Sequence, residues 1–258
     1  MSPPFPIPVG FFSSTGGGGG GGGIVTTGLT VHLDAGDAAS YSGSGTTWAD
    51  LTANNHDFTF GSGATPSHTA SPGFFRFFAA NERALCPDVF TITTGACEMW
   101  VRWGPMSAPT EPNPIILAGR SDPGRSWFAL GAAAAGVSLD YNAGFTSHQV
   151  MKYSGSSTTE LFDGVWHQIV AVMDGVSNQL YIDGAAVTTT ARFGSLSGTS
   201  GKLWQNLSGN NSSIGAEPNG GFPAISSEIS IFRLYDAAAF SAADVLQNWN
   251  AQKARFGR

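Results

Sequence analysis

Residues 163–184 read Asp-Gly-Val-Trp-His-Gln-Ile-Val-Ala-Val-Met-Asp-Gly-Val-Ser-Asn-Gln-Leu-Tyr-Ile-Asp-Gly, and this stretch decides the fold. Three Asp-Gly pairs bracket two apolar runs, Val165–Met173 and Leu180–Ile182. Asp-Gly favours turns because glycine adopts positive φ freely and aspartate bonds to its own backbone. Two β-rich runs joined by a short loop of Asp, Gly, Ser and Asn predict a β-hairpin.

The two strands of this hairpin carry different patterns. Residues 169–173 are apolar at every position, which predicts a central strand that is covered on both faces. The second strand alternates, with Leu180 and Ile182 on one face and a more polar set on the other, namely Gln179, Tyr181 and Asp183. We therefore expect this second strand to be half-exposed.

The rest of the chain from Ile24 onward also alternates between short apolar runs and turns rich in Gly, Pro, Asn and Ser. We expect strands at Leu29–Leu33, His56–Phe60, Phe74–Phe78, Cys97–Trp103, Ile115–Ala118, Trp127–Leu130, Val137–Tyr141, Gln149–Tyr153, Ser212–Gly215 and Glu228–Tyr235. Many short strands without intervening helices predict an all-β sandwich of two antiparallel sheets.

One helix is predicted, and it lies at the C-terminus. Ser241 is a suitable N-cap with Asp244 at the third helical position, and Leu246 and Trp249 are spaced to share a face. Gly257 is expected to end the helix, after basic residues that suit its last turn.

The hairpin pattern Trp166-His-x-x-Val-Ala-Val, a short Asp-Gly turn and Leu-Tyr-Ile-Asp-Gly184 resembles the central hairpin of concanavalin A-like, laminin-G-like domains. Gly28-Leu-Thr-Val-His-Leu-Asp-Ala-Gly-Asp, with the Ser42–Leu51 segment, is similar to the opening of such modules in phage and algal-virus structural proteins. Ser213-Ile-Gly-Ala-Glu and residues 227–245 are similar to their closing strand and helix. The resemblance covers roughly 28–256 and departs most at 104–160. It implies a jelly-roll sandwich and specifies no ligand.

The first 23 residues differ from the sandwich sequence of residues 24–258. Residues 1–15 are Pro-rich and apolar, which prevents helix formation and leaves five large side chains exposed, namely Phe5, Ile7, Val9, Phe11 and Phe12. Residues 16–23 are all glycine, a flexible tether with a reach of about 15–17 Å. We expect residues 1–15 to anchor the chain to another protein, by strand addition or in a groove. A disordered tail is the alternative.

The composition of the chain restricts the classes of partner that it is expected to bind. Charged residues make up 12% of the chain and the net charge is −6, without a basic run, so nucleic-acid binding is not expected. No apolar stretch is long enough to insert in a membrane, and prolines interrupt any secretory signal. The chain would leave its cell by lysis or by assembly into a particle, unless it is already processed. Cys86 and Cys97 could lie on neighbouring strands within disulfide reach, or be two small buried hydrophobic side chains.

The sequence was tested for catalytic groups. Laminarinase-type relatives within the resembled superfamily carry Glu-x-Asp-x-x-Glu on one strand, and none of the six glutamates here has Asp two positions later. A carboxylate pair from separate strands stays open. Residues 120–127 partly match the Asp-box of sialidases, which is a structural turn, and predict a hairpin with Trp127 packed below it. We expect no catalytic residues and no enzymatic activity.

The sequence gives weak signals for a metal site and for a functional histidine. His167 is expected to be a satisfied core or turn histidine. Calcium is an open possibility, because loop carboxylates lie at Asp34 and Asp37 and near Asp57, Asn54 and Asn55, but structural Asp turns account for them better. No cofactor is expected and the metal ligands are unknown.

A glycan-binding surface needs aromatic rings for sugar faces and amides for hydroxyls. One stretch supplies both, through Trp204, Asn206, Asn210, Asn211 and Phe222. The alternative is that Trp204 belongs to the core and the Asn/Ser run is an ordinary loop.

The resemblance to virus structural modules, together with the anchor-and-tether layout, implies a non-enzymatic structural or surface protein of a virion, attached to other virion or assembly proteins through residues 1–15, with surface glycans and a second copy as further partners. The expected location is the virion surface or the extracellular space. A secreted or cell-surface carbohydrate-binding adhesin is the first alternative, and a polysaccharide hydrolase or lyase is the second.

Overall fold

The computed structural model describes part of the chain. The described residues are 22–61, 65–78, 82–87, 94–104, 115–121, 126–133, 136–143, 147–152, 161–173, 178–191, 211–216, 227–236 and 240–258. They form two antiparallel sheets and a short C-terminal helix, so the predicted β-sandwich is confirmed.

The sheet that contains the opening hairpin is sheet A. Its strand order is β14-β13-β12-β7-β17-β5-β4, and β1 also pairs with β17. These strands are β1 (Leu29–Asp34), β4 (Ser67–Thr69), β5 (Phe74–Phe77), β7 (Gly95–Trp103), β12 (Trp166–Met173), β13 (Asn178–Ile182), β14 (Ala185–Ala186) and β17 (Ser227–Tyr235).

Sheet B lies opposite, with the order β15-β11-β10-β9-β8-β16-β6-β3-β2. Its strands are β2 (Thr47–Trp48), β3 (Phe58–Phe60), β6 (Arg83–Pro87), β8 (Ile115–Ser121), β9 (Ser126–Ala133), β10 (Gly136–Ala143), β11 (Ser147–Lys152), β15 (Thr190–Ala191) and β16 (Asn211–Gly215). The antiparallel pairing of β8 with β9 confirms the hairpin predicted for the Asp-box-like segment. The side chain of Trp127 lies outside the described residues.

The hairpin of residues 163–184 supplies β12 and β13 of sheet A. β12 lies between β13 and β7, and each of its side chains is buried, as predicted. The second strand differs from the prediction, because Tyr181 on its polar face is only 9% exposed. The C-terminal helix covers the cluster in which this ring packs, so β13 is less open than its alternation indicated.

The main core lies between the two sheets. It joins inward side chains of sheet A, such as Met99, Val101 and Ile169, to those of sheet B, such as Phe58 and Phe60. Cys86 on β6 and Cys97 on β7 are both buried in this core, on strands of different sheets. They are therefore not on neighbouring strands, and the interpretation as small buried side chains holds.

The face of sheet A that points away from sheet B is its outer face, and α1 (Ala242–Gln252) with a 3₁₀ helix (Lys253–Phe256) packs on it. Ser241 and Asp244 form the predicted capping box. Gly257 ends the 3₁₀ helix with φ of 71°, as expected. Leu246, three residues before Trp249, is 48% exposed; the buried residues of the helix are Val245 and Asn248. No helix among the described residues is long and apolar enough to cross a membrane.

Aromatic stacking and one ion pair hold these helices in place. Trp100 of β7 stacks on Trp249 at 5.2 Å between ring centroids and on Phe256 at 4.3 Å. Arg255 makes two hydrogen bonds to the carboxylate of Asp34, at 2.6 and 2.7 Å. The C-terminus is thus fastened to β7 and β1 together.

The outer edge of β1 is covered by the segment that follows β2. The N–H of His32 donates to Asp50, and the carbonyl of His32 accepts from the N–H of Leu51, both at 2.8 Å. The carbonyl of Thr30 accepts from Thr52 and Asn54. Side chains and one turn thereby take the hydrogen-bonding positions that a further strand would occupy.

Candidate functional site

The glycine-rich N-terminal segment enters the sandwich beside α1. The N–H of Val25 donates to Oδ1 of Asn248 at 2.8 Å, and Nε2 of Gln247 donates to the carbonyl of Gly23 at 2.8 Å. Val25 is buried in a cluster with Val245 and with Ala96, near the start of β7. We call this end of sheet A the tether end.

A buried polar network lies beneath the tether end. Glu98 of β7 is fully buried. Its carboxylate accepts hydrogen bonds from Gln168 at 2.8 Å, Arg233 at 3.1 Å and Asn248 at 2.6 Å. Asn248 also donates to the hydroxyl of Tyr235 at 2.9 Å. Burial and the charge of Glu98 raise the pKa of Tyr235, so its hydroxyl stays protonated and serves as an uncharged member of the network.

His32 is next to this network, directly across from Arg233 in the β1–β17 register. Burial, followed by the positive charge of Arg233, lowers the pKa of His32 to about 4. Its Nε2 atom is buried without a partner among the described residues. His32 is therefore a neutral, half-buried side chain at neutral pH.

Three charged side chains form a row at the opposite end of sheet A. The register places Glu228 of β17 directly between Arg76 of β5 and Arg102 of β7. One carboxylate oxygen of Glu228 accepts from Arg76 and the other accepts from Nε of Arg102. The arginine side chains are 41% and 31% exposed, whereas that of Glu228 is 12% exposed. We call Arg76, Glu228 and Arg102 the arginine row.

Aromatic rings flank both guanidinium groups of the arginine row. Cζ of Arg102 lies 5.2 Å from the ring centroid of Trp166 and 5.3 Å from that of Phe74. Cζ of Arg76 lies 5.2 Å from the ring of Phe78, which is 54% exposed. Guanidinium donors beside an open aromatic ring can bind an anion and stack against a flat apolar surface.

The two ends of sheet A are well separated. Ala96 at the tether end and Arg102 in the arginine row are six residues apart on β7, which corresponds to about 20 Å along the strand. Gly215 at the end of β16 marks the same end as the arginine row, because a Cβ added there would lie 2.6 Å from the ring of Phe77. Asn211 begins β16 four residues earlier, at the other end of that strand from Gly215.

His167 has a carboxylate at each ring nitrogen. Nδ1 lies 2.9 Å from Oδ2 of Asp183, and Nε2 lies 3.3 Å from Oδ1 of Asp163. Both aspartates belong to the Asp-Gly pairs that bracket the hairpin. The prediction of a satisfied turn or core histidine is confirmed.

The carboxylates considered for calcium have structural partners. Asp34 binds Arg255 and accepts from the N–H of Gly36, and Asp37 accepts from the N–H of Ala39. Asp57 accepts from the N–H of Asp50. These contacts fit structural Asp turns. No group of three or more His, Cys, Asp or Glu side chains within the described ranges is arranged to hold a metal ion.

The residues predicted for anchoring and glycan binding are not brought together by the described part of the structure. Phe5, Ile7, Val9, Phe11 and Phe12 lie outside the described residues, as do Trp204, Asn206, Asn210 and Phe222. Only the backbone of Asn211 is described, at the start of β16.

The arginine row was not predicted from the sequence. The available signal was the place of each arginine in its strand: Arg76 interrupts the aromatic run of residues 74–78, and Arg102 lies between Val101 and Trp103 on a strand whose other charged residue is Glu98. A charge on a strand position that should be buried indicates a cross-strand partner, but the sequence does not say which strands are neighbours.

A family model supports the fold on sequence grounds. The model Laminin_G_3, of the concanavalin A-like lectin/glucanase superfamily, matches residues 79–246, which is more than half of the chain. The chain belongs to this superfamily. A search of curated proteins gave no match. Membership places the two sheets and the buried hairpin in a known architecture.

Solved structures of several different proteins share this fold. Domain 4 of an extracellular arabinanase from Geobacillus stearothermophilus, solved with arabinotriose, aligns with a TM-score of 0.61 and 15% identity over 85% of this chain and 97% of that domain. A sialidase of Trypanosoma rangeli aligns with a TM-score of 0.62 and 15% identity over 92% of this chain. The receptor-binding domain of a botulinum neurotoxin C/D mosaic aligns with a TM-score of 0.61 and 10% identity over 87% of this chain.

The chain covers different fractions of the lengths of these proteins. The chain spans about a third of the sialidase and about half of the toxin domain, at 35% and 51% of their lengths. At these identities the likeness concerns the fold. The same sandwich therefore occurs in carbohydrate-binding domains, receptor-binding domains and parts of glycoside hydrolases.

Proposed function

We propose that this protein is a non-enzymatic, glycan-binding surface module of a virion, attached to other virion proteins through residues 1–15. The observation that carries the proposal is the separation of the two ends of sheet A. The segment after the glycine run is bonded to α1 at the tether end, and the arginine-row end lies about 20 Å away. A chain that is anchored at the tether end presents the opposite end of the sandwich, which carries the arginine row, to solvent.

The described carboxylates support a binding role over catalysis. Glu98 is held by three donors in the buried network, and Glu228 is held by two arginines. A retaining glycosidase needs two carboxyl groups about 5–5.5 Å apart that face the substrate. Carboxylates that are committed to structural partners are poor candidates for that work.

The attachment is tested by changing Phe5, Phe11 and Phe12 to Ser in the full-length chain. We expect the variant to lose co-purification with intact particles while its circular dichroism and thermal unfolding remain those of the wild type. Changing Ser2, Ser13 and Ser14 to Ala is the matched control. Undiminished co-purification of the phenylalanine variant contradicts the anchoring role.

Glycan binding is tested with the full-length protein on an array of neutral and acidic glycans. Specific retention of at least one glycan supports the module, and a silent array contradicts it. A secreted adhesin, the first alternative, predicts glycan binding without particle association. A hydrolase or lyase predicts the release of reducing sugar or of unsaturated product from a bound polysaccharide.

A further inference from the structure

We propose that the arginine row, together with Phe78, binds a sugar that carries a carboxylate, such as a uronic or sialic acid. This inference rests on the proposed glycan-binding function, because it names the class of glycan and the place where it binds. The site lies on the outer face of sheet A, at the end opposite the tether.

The hydrogen-bond donors of the row are only partly used. Arg102 gives Nε to Glu228, and its Nη1 and Nη2 atoms have no partner within the described residues. Arg76 gives Nε and Nη2 to the same carboxylate, which leaves Nη1. A guanidinium group presents its N–H groups as a rigid fork that matches the two oxygens of a carboxylate. Glu228 therefore holds two such forks in fixed positions while part of each remains available.

The aromatic ring supplies the second half of the recognition. Phe78 is 54% exposed, and Cζ of Arg76 lies 5.2 Å from its ring centroid. In a uronic or sialic acid the carboxylate is attached directly to a ring carbon. A sugar whose C–H face covers Phe78 therefore brings its carboxylate to the neighbouring guanidinium group. Neutral sugars share the stacking but lack the charged group.

The charges around the row favour a single acidic sugar over a long polyanion. The row has two guanidinium groups and one carboxylate, and Glu82 lies nearby, where its carboxylate accepts from the N–H of Phe78. Glu82 lowers the local positive potential. Recognition therefore depends on directed hydrogen bonds and ring contact more than on net charge.

The test titrates the full-length protein with trigalacturonate, trimannuronate and sialyllactose, and with their neutral counterparts, by isothermal titration calorimetry. We expect at least one acidic sugar to bind at least tenfold more tightly than its neutral counterpart. Arg102→Gln and Arg76→Gln should each weaken that binding about tenfold, the usual effect of losing charge-assisted hydrogen bonds. Lys253→Gln removes a positive charge from the 3₁₀ helix instead and should leave the affinity unchanged.

Further variants separate binding from folding. Arg102→Lys keeps the charge and loses the fork, so the acidic sugar should bind several-fold more weakly while thermal unfolding stays unchanged. Glu228→Gln retains both arginines, but its amide has a single acceptor oxygen, so one guanidinium group is held less firmly and affinity should fall by less than in either Arg→Gln variant. If Glu228→Gln abolishes binding in a folded protein, the assignment is wrong. Equal binding by the wild type and both Arg→Gln variants also overturns it.

The outcomes also distinguish this site from the proposed function. If no acidic sugar binds while the array retains a neutral glycan, the arginine-row site is overturned and the glycan-binding module stands. If no glycan of either kind is retained, both are overturned.

Discussion

The side-chain amide of Asn248 donates a hydrogen bond to the carboxylate of Glu98, with 2.6 Å between nitrogen and oxygen. The other end of the same amide accepts from the N–H of Val25 at 2.8 Å. One helical side chain therefore connects the central strand of sheet A to the segment that follows the glycine run. This explains why α1 buries a polar residue where an apolar one would ordinarily lie.

We predict that Asn248→Leu destabilises the protein by about 2–4 kcal/mol, because it leaves Glu98 short of a donor and the N–H of Val25 without an acceptor in a buried setting. Urea unfolding measures the change. Asn250→Ala on the exposed face of α1 is the control and should cost less than about 0.5 kcal/mol. Equal effects of the two substitutions would show that the network contributes nothing.

The free energy of unfolding should decrease as the pH is lowered from neutral, because of His32. Its pKa is about 4 in the folded protein, against an ordinary value of 6.5, so the unfolded chain binds the proton first as the pH decreases. Stability is therefore lost between about pH 6.5 and pH 4, by roughly 3 kcal/mol in total. His32→Gln should flatten this part of the profile. The measurement is urea unfolding at several pH values, and parallel profiles for variant and wild type argue against the assignment.

Arg255→Gln should loosen the C-terminus from β1. Burial of Asp34 raises its pKa, but the hydrogen bonds and charge of Arg255 outweigh burial and hold the pKa below its ordinary value of 3.8. The carboxylate therefore contributes stability above that value, which is lost as the pH falls below it. The variant should lose about 2 kcal/mol at pH 7 and show a weaker acid dependence below pH 4.

Acid unfolding followed by tryptophan fluorescence measures both effects, since Trp249 of α1 stacks on Trp100 of β7. Lys253→Gln, at the start of the same 3₁₀ helix, is the control. An unchanged acid limb in Arg255→Gln would contradict the role of the ion pair.

Gly184→Ala should destabilise the turn after β13 for two separable reasons. Its φ is +80°, and an added Cβ would lie 2.9 Å from the ring of Trp249. Gly43→Ala shares the positive φ, at +96°, but has no atom within 4 Å of the added Cβ. Thermal unfolding should show a loss of about 1 kcal/mol for Gly43→Ala and a larger one for Gly184→Ala. Equal losses would mean that the contact with Trp249 adds no cost.

The sequence predicts the sandwich well where the signal is local. The Asp-Gly pairs at 163–164 and 183–184, the apolar run of β12 and the capping box of Ser241 and Asp244 all specify structure from residues that are close in the chain, and each is present among the described residues. The two-residue strands, such as β2 and β14, were missed because pairing with a neighbour, rather than composition, defines them.

The candidate site depends on strand order, which single-sequence patterns do not contain. Glu228 meets Arg76 and Arg102 across sequence separations of 152 and 126 residues. The exposed Leu246 and buried Asn248 reverse the expected polarity of α1 for the same reason, since Glu98 beneath the helix selects an amide. Hydrophobic periodicity describes a helix that covers an apolar sheet, and this sheet has a charge at its centre.

The covered edge of β1 bears on how many copies of this protein can be held close together. Asp50, Thr52 and Asn54 occupy the positions through which an incoming strand would register with Thr30 and His32. Copies of the protein that lie close together therefore cannot pair into a continuous intermolecular sheet through this edge. Amyloid-like growth of closely packed copies should not begin here.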